Sequence, residues 1–263
     1  MAYTIDDLVQ CFTRLGVEKD SVVYVISALW RIPGYDGPAQ AVCAGYYQAL
    51  RQVVGEGGTI VVPTHSQNLC NTDIPFDLNN TPSHERGIFS EYVRLLPGAR
   101  RSFHPFNSYA AVGPAAEAIT ADVARHAYGP MTPESRMIDM GARAVIIGMP
   151  PNITTTVHHV EQVMAVPYRY TKEFLHPVVR GSETVIEPFY LYVWYREADL
   201  DRSLNRPLIK ILSERMEIRE EQLGRGKLYS YRNDEFFHLS LPIVNDNPYI
   251  WCTTPPKIRP WQK

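Results

Sequence analysis

The chain reads as an α/β protein, a mixed sheet flanked by helices with an antiparallel C-terminal section, carried by one domain over residues 1–263. Three observations predict this. Helical and extended segments alternate from the N-terminus onward, the pattern of strand–helix–strand units. Beyond Val166 the texture changes to alternating residues rich in aromatics, as in antiparallel strands. At 263 residues and 45% hydrophobic content, the chain can bury roughly 70–75% of its unfolded surface around a large core.

The elements follow in order. Thr4 caps a helix whose apolar positions Ile5, Leu8, Val9, Phe12 and Leu15 recur at helical spacing until Gly16 stops it. Ser21 to Ile26 is a strand. Ala39 to Val54 is a helix ended by Gly55-Glu56-Gly57-Gly58, and Thr59 to Val62 is a short buried strand. Such a unit favours parallel pairing, with ligands at the loops leaving the carboxyl ends of the strands, so the loop after Pro63 is a candidate site wall. Ile88–Leu96 reads as helix, Ser108–Val112 as extended, Ala115–Ala124 as helix, Ala144–Gly148 as strand and Thr154–Ala165 as the start of a helix. Val166 to Tyr195, with Phe189, Tyr190, Tyr192, Trp194 and Tyr195, supplies the antiparallel section. Leu208–Met216 and Asp234–Leu241 read as closing helices, and Pro255–Lys263 as a loosely held tail.

Charge and cysteine usage exclude several classes. A formal net charge of −2 gives no global attraction to nucleic acid or anionic lipid, so neither is expected as a partner. Cys11, Cys43, Cys70 and Cys252 form no Cys-x-x-Cys pair, which fits thiols in a reducing cytoplasm. Asp6, Asp7 and Glu18 stand where a signal peptide needs a basic start and an apolar run. A cytoplasmic location is therefore expected.

Chemistry starts from His158. Acylating an alkylamine near neutral pH requires a base to remove a proton, and a neutral imidazole suits that work. On a helix, His158 and Glu161 share a face, so Glu161 can orient the ring or hold a substrate ammonium. His159 is rotated by about 100° from its neighbour and points elsewhere.

Two blocks carry a resemblance. The first holds Phe76-Asp77, Thr81-Pro82-Ser83, Gly87, Glu91, Arg94, Pro97-Gly98, Arg101-Ser102, His104-Pro105, Ser108 and Gly113; the second is Thr154-Thr155-Thr156-Val157-His158-His159-Val160-Glu161. In order and spacing they resemble the antibiotic N-acetyltransferase family, typified by aminoglycoside 3-N-acetyltransferases, and the likeness runs over essentially the whole chain. The resemblance implies an aminoglycoside 3-N-acetyltransferase-like fold, with acetyl-CoA or another acyl-CoA as donor, an amino sugar or related amine as acceptor, and no metal. It is compatible with a homodimer.

It also implies site residues. His158 takes the place of the catalytic histidine, Glu91 is the expected carboxylate that orients it, with Asp77 in reserve, and Glu161 supports ring or substrate. Ser27, Ala28 and Leu29 are expected at the thioester arm of the donor. For His104, lining the donor channel and bracing a turn both fit; for Ser108, so do donation to an oxyanion and a backbone hydrogen bond. Asp73, Asp77 and Thr156 are the expected acceptor contacts.

The chain departs from the family at two places. The family's His-Ser-Ser-Leu-Ser-x-Leu-Gly loop reads Ile26-Ser27-Ala28-Leu29-Trp30-Arg31-Ile32-Pro33-Gly34 here, which removes potential donors and adds bulk and charge. Ser83 to Gly87 is longer by one residue than the family spacing. Only Asp73, Asp77 and Glu85 lie near the acceptor segment, few for a polycationic drug, whereas a nucleotide-linked amino sugar could place its phosphates at Arg100-Arg101. Two other classes compete. Six of the eight histidines lie between positions 65 and 159, which raises a metal-dependent hydrolase, although no His-Glu-x-x-His spacing is present. A non-catalytic small-molecule binding protein fits the altered donor loop.

Overall fold

The computed structural model describes residues 2–83, 86–201, 206–252 and 254–262. The first helix, α1 (Ile5–Arg14), opens on a capping box in which Thr4 and Asp7 satisfy each other's backbone N–H groups, and it buries Leu8, Cys11 and Phe12. Strand β1 (Val22–Ser27) follows. After it come α2 (Val42–Val54), β2 (Thr59–Pro63), α3 (Ile88–Arg94), β3 (Arg100–Arg101) and β4 (Tyr109–Val112). The middle of the chain adds α4 (Ala116–Thr120), α5 (Pro133–Asp139), β5 (Arg143–Ile147) and α6 (Thr156–Val163). A long hairpin of β6 (Arg169–Arg180) and β7 (Glu183–Trp194) precedes α7 (Arg206–Ser213), β8 (Arg219–Leu223), β9 (Gly226–Arg232) and α8 (Asn233–Asp246).

Seven strands form one sheet in the order β3-β4-β2-β1-β5-β9-β8. Its centre is parallel, β1 pairing with β2 and with β5, while β4 and β9 add antiparallel on either side. The strand period of two divides the side chains between the faces. Val23, Val25, Ile60, Val62, Val145 and Ile147 pack with α1, α2 and α3. Tyr24, Val61, Ala144 and Ile146 face the other way, with Met137, Val157, Val160 and Phe236 of α5, α6 and α8. The hairpin stands apart as a second sheet, docked through Val178 and Phe189 on Phe76 and Phe106.

Several elements differ from the sequence expectation. The helix expected at Ala115–Ala124 is only Ala116–Thr120, and that expected at Asp234–Leu241 extends to Asp246 with Pro242 inside it. Helix α5 and the β8–β9 hairpin were not anticipated. Residues His84 and Glu85 lie outside the described residues.

Arg100 and Arg101, expected to face substrate phosphates, do structural work. Arg100 pairs with Glu117 at 2.8 Å. Arg101 is half-buried in a carbonyl clamp: its guanidinium donates to Thr64 O at 2.8 Å, to Leu78 O at 3.3 Å and to Thr81 O, and to Ser108 Oγ at 3.0 Å. Burial, reinforced by the charge of Arg94, pulls its pKa down to about 9. One planar fork thereby ties the loop before α3 to the end of β2. Replacing Arg101 with Met should cost about 2–4 kcal/mol, because the buried carbonyls lose their donors. Arg101→Lys should recover less than half of that, since an ammonium cannot span the same acceptors. Urea unfolding checks this; an unchanged midpoint for Arg101→Met would show that the loop is held by other contacts.

Candidate active site

Helix α6 begins just beyond the carboxyl end of β5, and a buried carboxylate holds its start. Glu134 on α5 is fully buried. Its Oε2 accepts from Tyr109 OH and Thr155 Oγ1, each at 2.9 Å, and its Oε1 accepts from Thr156 Oγ1 at 2.6 Å and Asn233 Nδ2 at 3.3 Å. Tyr24 OH lies 2.8 Å from Thr155 Oγ1. Burial, with Glu134 alongside, pushes the phenols of Tyr24 and Tyr109 well above their ordinary value, so they stay protonated as donors. A negative charge beneath the first turn of a helix is also favoured by the helix dipole.

This anchor sets where His158 points. Its Nδ1 lies 2.8 Å from Glu161 Oε2. A carboxylate only accepts, so Nδ1 carries the proton and the basic lone pair belongs to Nε2. Glu161 is fully buried and is held in turn by Tyr168 OH at 2.8 Å on Oε1 and by Arg169 at 2.8 Å on Oε2. The His158 ring keeps about a third of its surface exposed, at 36%. It opens into a cleft of about 430 Å³ between the 67–71 and 107–128 segments and the β6–β7 hairpin. His159, as expected, points elsewhere: it is buried against Phe237, its Nδ1 accepting from Gly129 N at 3.3 Å.

The other expected site residues fall into two groups. Ser27 ends β1 in register with Ile147 of β5, and Ala28 N donates to Ile147 O at 2.9 Å, so the segment Ser27 to Leu29 leaves the sheet beside the loop that leads to α6. Gly148 makes this approach close: its φ is +72°, and a Cβ there would stand 2.6 Å from Ala28 O. Arg31 lies over the Trp30 ring at 4.8 Å and reaches Gly148 O at 3.5 Å.

The second group takes structural positions. Glu91 is not joined to His158: its carboxylate accepts from Arg94, at 2.9 and 2.6 Å, and from Ser83 N at 2.8 Å. The carboxylate on the ring is Glu161's. Asp77 caps a turn, accepting from Asn79 N and Asn80 Nδ2 at 2.8 Å and Asn80 N at 3.0 Å, and these bonds, led by the Asn80 side chain, hold its carboxyl below the usual range. Thr156 is buried with its hydroxyl on Glu134, so it anchors α6 where a substrate contact was expected. Ser108 donates to Thr64 O at 2.8 Å. His104 braces a turn, its Nδ1 accepting from Phe106 N at 3.2 Å and Asn107 N at 3.0 Å. Asp73 is exposed and does not line the cleft.

Sequence reasoning missed Glu134, Tyr168, Arg169 and His65. Thr132-Pro133, a cap followed by proline at the first helical position, was the available signal for α5. Nothing local marks Glu134 as facing inward. His65 follows β2, buried with its ring 5.1 Å from that of Tyr109, and neither ring nitrogen has a hydrogen-bond partner. Burial, then the charge of Arg86, drives its pKa well below the ordinary value. Among the described residues no group of three or more His, Cys, Asp or Glu is placed to hold a metal ion.

Two outcomes follow from these burials. Glu134→Ala should lower stability by about 2–4 kcal/mol, since the buried hydroxyls of Tyr109 and Thr156 and the half-buried one of Thr155 lose an acceptor, and calorimetric melting checks this; a change below about 0.5 kcal/mol would show that the network is not a support. Burial holds His104 neutral, with its pKa down to about 3. A depressed value means that this stabilisation is complete above the unfolded value near 6.5 and is lost as pH falls toward about 3, at up to about 1.4 kcal/mol per pH unit. His104→Gln should flatten the urea midpoint between pH 6.5 and 4 by that share, and an identical slope would exclude His104 as a source.

Known proteins resemble this chain in sequence and in fold. A family model described as aminoglycoside 3-N-acetyltransferase matches residues 26–241. Aminoglycoside N(3)-acetyltransferase VII of Streptomyces paromomycinus is 31% identical over 219 residues, 74% of this chain and 69% of that enzyme. Aminoglycoside N(3)-acetyltransferase IV of Salmonella is 33% identical over 165 residues, 62% of this chain and 60% of that enzyme. Among solved structures, the aminoglycoside acetyltransferase AAC(3)-IVa apoenzyme superposes with a TM-score of 0.78 at 25% identity, covering 97% of this chain and 93% of that one. AAC-IIIb in its binary complex with CoASH gives a TM-score of 0.81 at 20% identity, covering 97% and 100%. The chain belongs to the aminoglycoside 3-N-acetyltransferase family, a family of acyltransferases that act on amines.

Proposed function

We propose that this protein transfers an acyl group from acyl-CoA to a primary amine, directly and within a ternary complex. The observation that carries the proposal is the pair His158–Glu161, 2.8 Å apart on a helix at the carboxyl end of the parallel strands and open to a cleft. His158 Nε2 takes the proton of the acceptor ammonium, and Glu161 fixes the Nδ1–H tautomer and stabilises the imidazolium that forms. The amine nitrogen then bonds to the thioester carbonyl carbon and the carbon–sulfur bond breaks; the second proton shed by nitrogen as the amide forms goes to the departing coenzyme A thiolate, and His158 returns the first to solvent. Cys11, Cys43 and Cys252 are buried, and burial pushes the thiols of Cys11 and Cys43 up to about 12 and about 11, which suits a route without a cysteine acyl intermediate. The segment Ser27 to Leu29 is the proposed contact for the thioester arm, beside the start of α6. Acyl-CoA as donor is supported by family membership and by the relative solved with CoASH.

His158→Ala should reduce kcat by about 10² or more while the acetyl-CoA dissociation constant, measured by calorimetry, stays within about twofold. Glu161→Gln should move the acid limb of the kcat/KM profile to lower pH, because the imidazolium loses its carboxylate. Near-normal turnover in His158→Ala would remove it from the mechanism; absence of any saturable acyl-CoA binding to the unmodified protein would favour the non-catalytic binding protein instead.

A further inference from the structure

The cleft beside His158 has a charge and an unfilled hydrogen-bonding position that together describe its occupant. Its walls carry Arg169, Lys172 and Arg196 and, among the described residues, no Asp or Glu. Glu161 neutralises Arg169 from behind. Lys172 and Arg196 have no carboxylate partner among the described residues: the Lys172 ammonium lies 4.7 Å over the Phe174 ring, on the cleft side of β6, and both residues are exposed. The net field at the mouth is therefore positive. A polycationic amine would meet like charge there, with nothing on these walls to neutralise it.

The opposite end of the cleft is built differently. Asn107 is 2% exposed, and its Nδ2 donates to Ala127 O at 2.6 Å, which fixes the orientation of the amide. Its Oδ1 is buried without any hydrogen-bond partner, an acceptor awaiting an N–H or O–H. Asn107 and His158 both line the cleft. Tyr128, Tyr192 and Trp194 line it too and supply aromatic surface that suits the flat face of a sugar or a base. The residues expected at the donor, Ser27 to Leu29, do not line this cleft.

We propose that the acceptor is an anionic amine, a primary amine on a sugar or nucleotide scaffold that also carries phosphate, with its nitrogen at His158 and Asn107 and its phosphate at Lys172 and Arg196. The proposal rests on the acyl-transfer reading for the fate of the amine, though not for the binding. Charge at the mouth also steers such a ligand inward, with an effect that falls as salt rises.

The test is calorimetric titration of the purified chain with glucosamine, glucosamine 6-phosphate, UDP-glucosamine and gentamicin, followed by turnover of each with acetyl-CoA. At least one phosphorylated probe should bind about 10-fold or more tightly than glucosamine and gentamicin, and Lys172→Glu/Arg196→Glu should remove that preference while leaving acetyl-CoA affinity within about twofold. Asn107→Leu should weaken every amine that binds. Equal or weaker binding of both phosphorylated probes, or tightest binding of gentamicin, overturns the proposal. So does a charge reversal that weakens acetyl-CoA instead, which would assign these cations to the donor's phosphates. Tight binding of a phosphorylated probe without turnover leaves the ligand class standing and sinks the acyl-transfer reading.

Discussion

A single buried carboxylate organises the functional end of this protein. Glu134 collects hydroxyl or amide donors from β4, α6 and α8 while sitting on α5. A carboxyl group so far from water is tolerable only when its oxygens are satisfied, and here the partners come from elements far apart in sequence. Each partner is in turn constrained by the charge. The first turn of α6 is therefore pinned to the sheet, and His158, in that same turn, takes its direction from it.

The placement of cations follows a similar rule of partners. Arg101 and Arg94 spend their forks on carbonyls and on Glu91, holding the segment that crosses the carboxyl ends of the strands. Arg169 spends its own on Glu161 and on Tyr192 O at 2.7 Å, joining α6 to the hairpin. Arg94 and Arg169, each paired with a carboxylate, add no net positive charge, and Arg101, whose partners are neutral oxygens, does not line the cleft. Lys172 and Arg196 are the cleft cations that remain uncompensated among the described residues, and so they dominate its field. The second sheet is thus more than an appendage: it brings the aromatic faces and the excess charge to a base held by the first.

Much of the fold was legible in the chain. Helix α1 declared itself through its cap and apolar stripe, and β1, β2 and β5 through short apolar runs bounded by turns. The hairpin was visible in the alternation from Val166 to Tyr195. Helix α5 was not, because its seven residues carry too little periodicity to stand out, and β8 and β9 were not, because charged residues such as Glu220 and Lys227 occupy the exposed side of an edge pair. At the site, His158 and Glu161 were readable together since a helix places residues three apart on one face. Glu91, expected beside the ring, is engaged elsewhere: in sequence it is an acidic residue on a helix like Glu161, and contacts such as those with Arg94 one turn away and with Ser83 N take up its oxygens.

What the sequence by itself determined is the family, the central parallel unit and the pairing of His158 with Glu161, because these depend on local spacing and on residues that meet within one helical turn. What only the tertiary structure decided is which polar groups are inside and which face the ligand. Thr156, Ser108, His104 and Asp77 look as eligible for substrate as Asn107 or Lys172 when written in a line. Burial and hydrogen-bond satisfaction separate them, and both are properties of contacts between distant segments: four already have partners within the fold, while Asn107 presents an unsatisfied oxygen, and Lys172 an uncompensated charge, to the cleft.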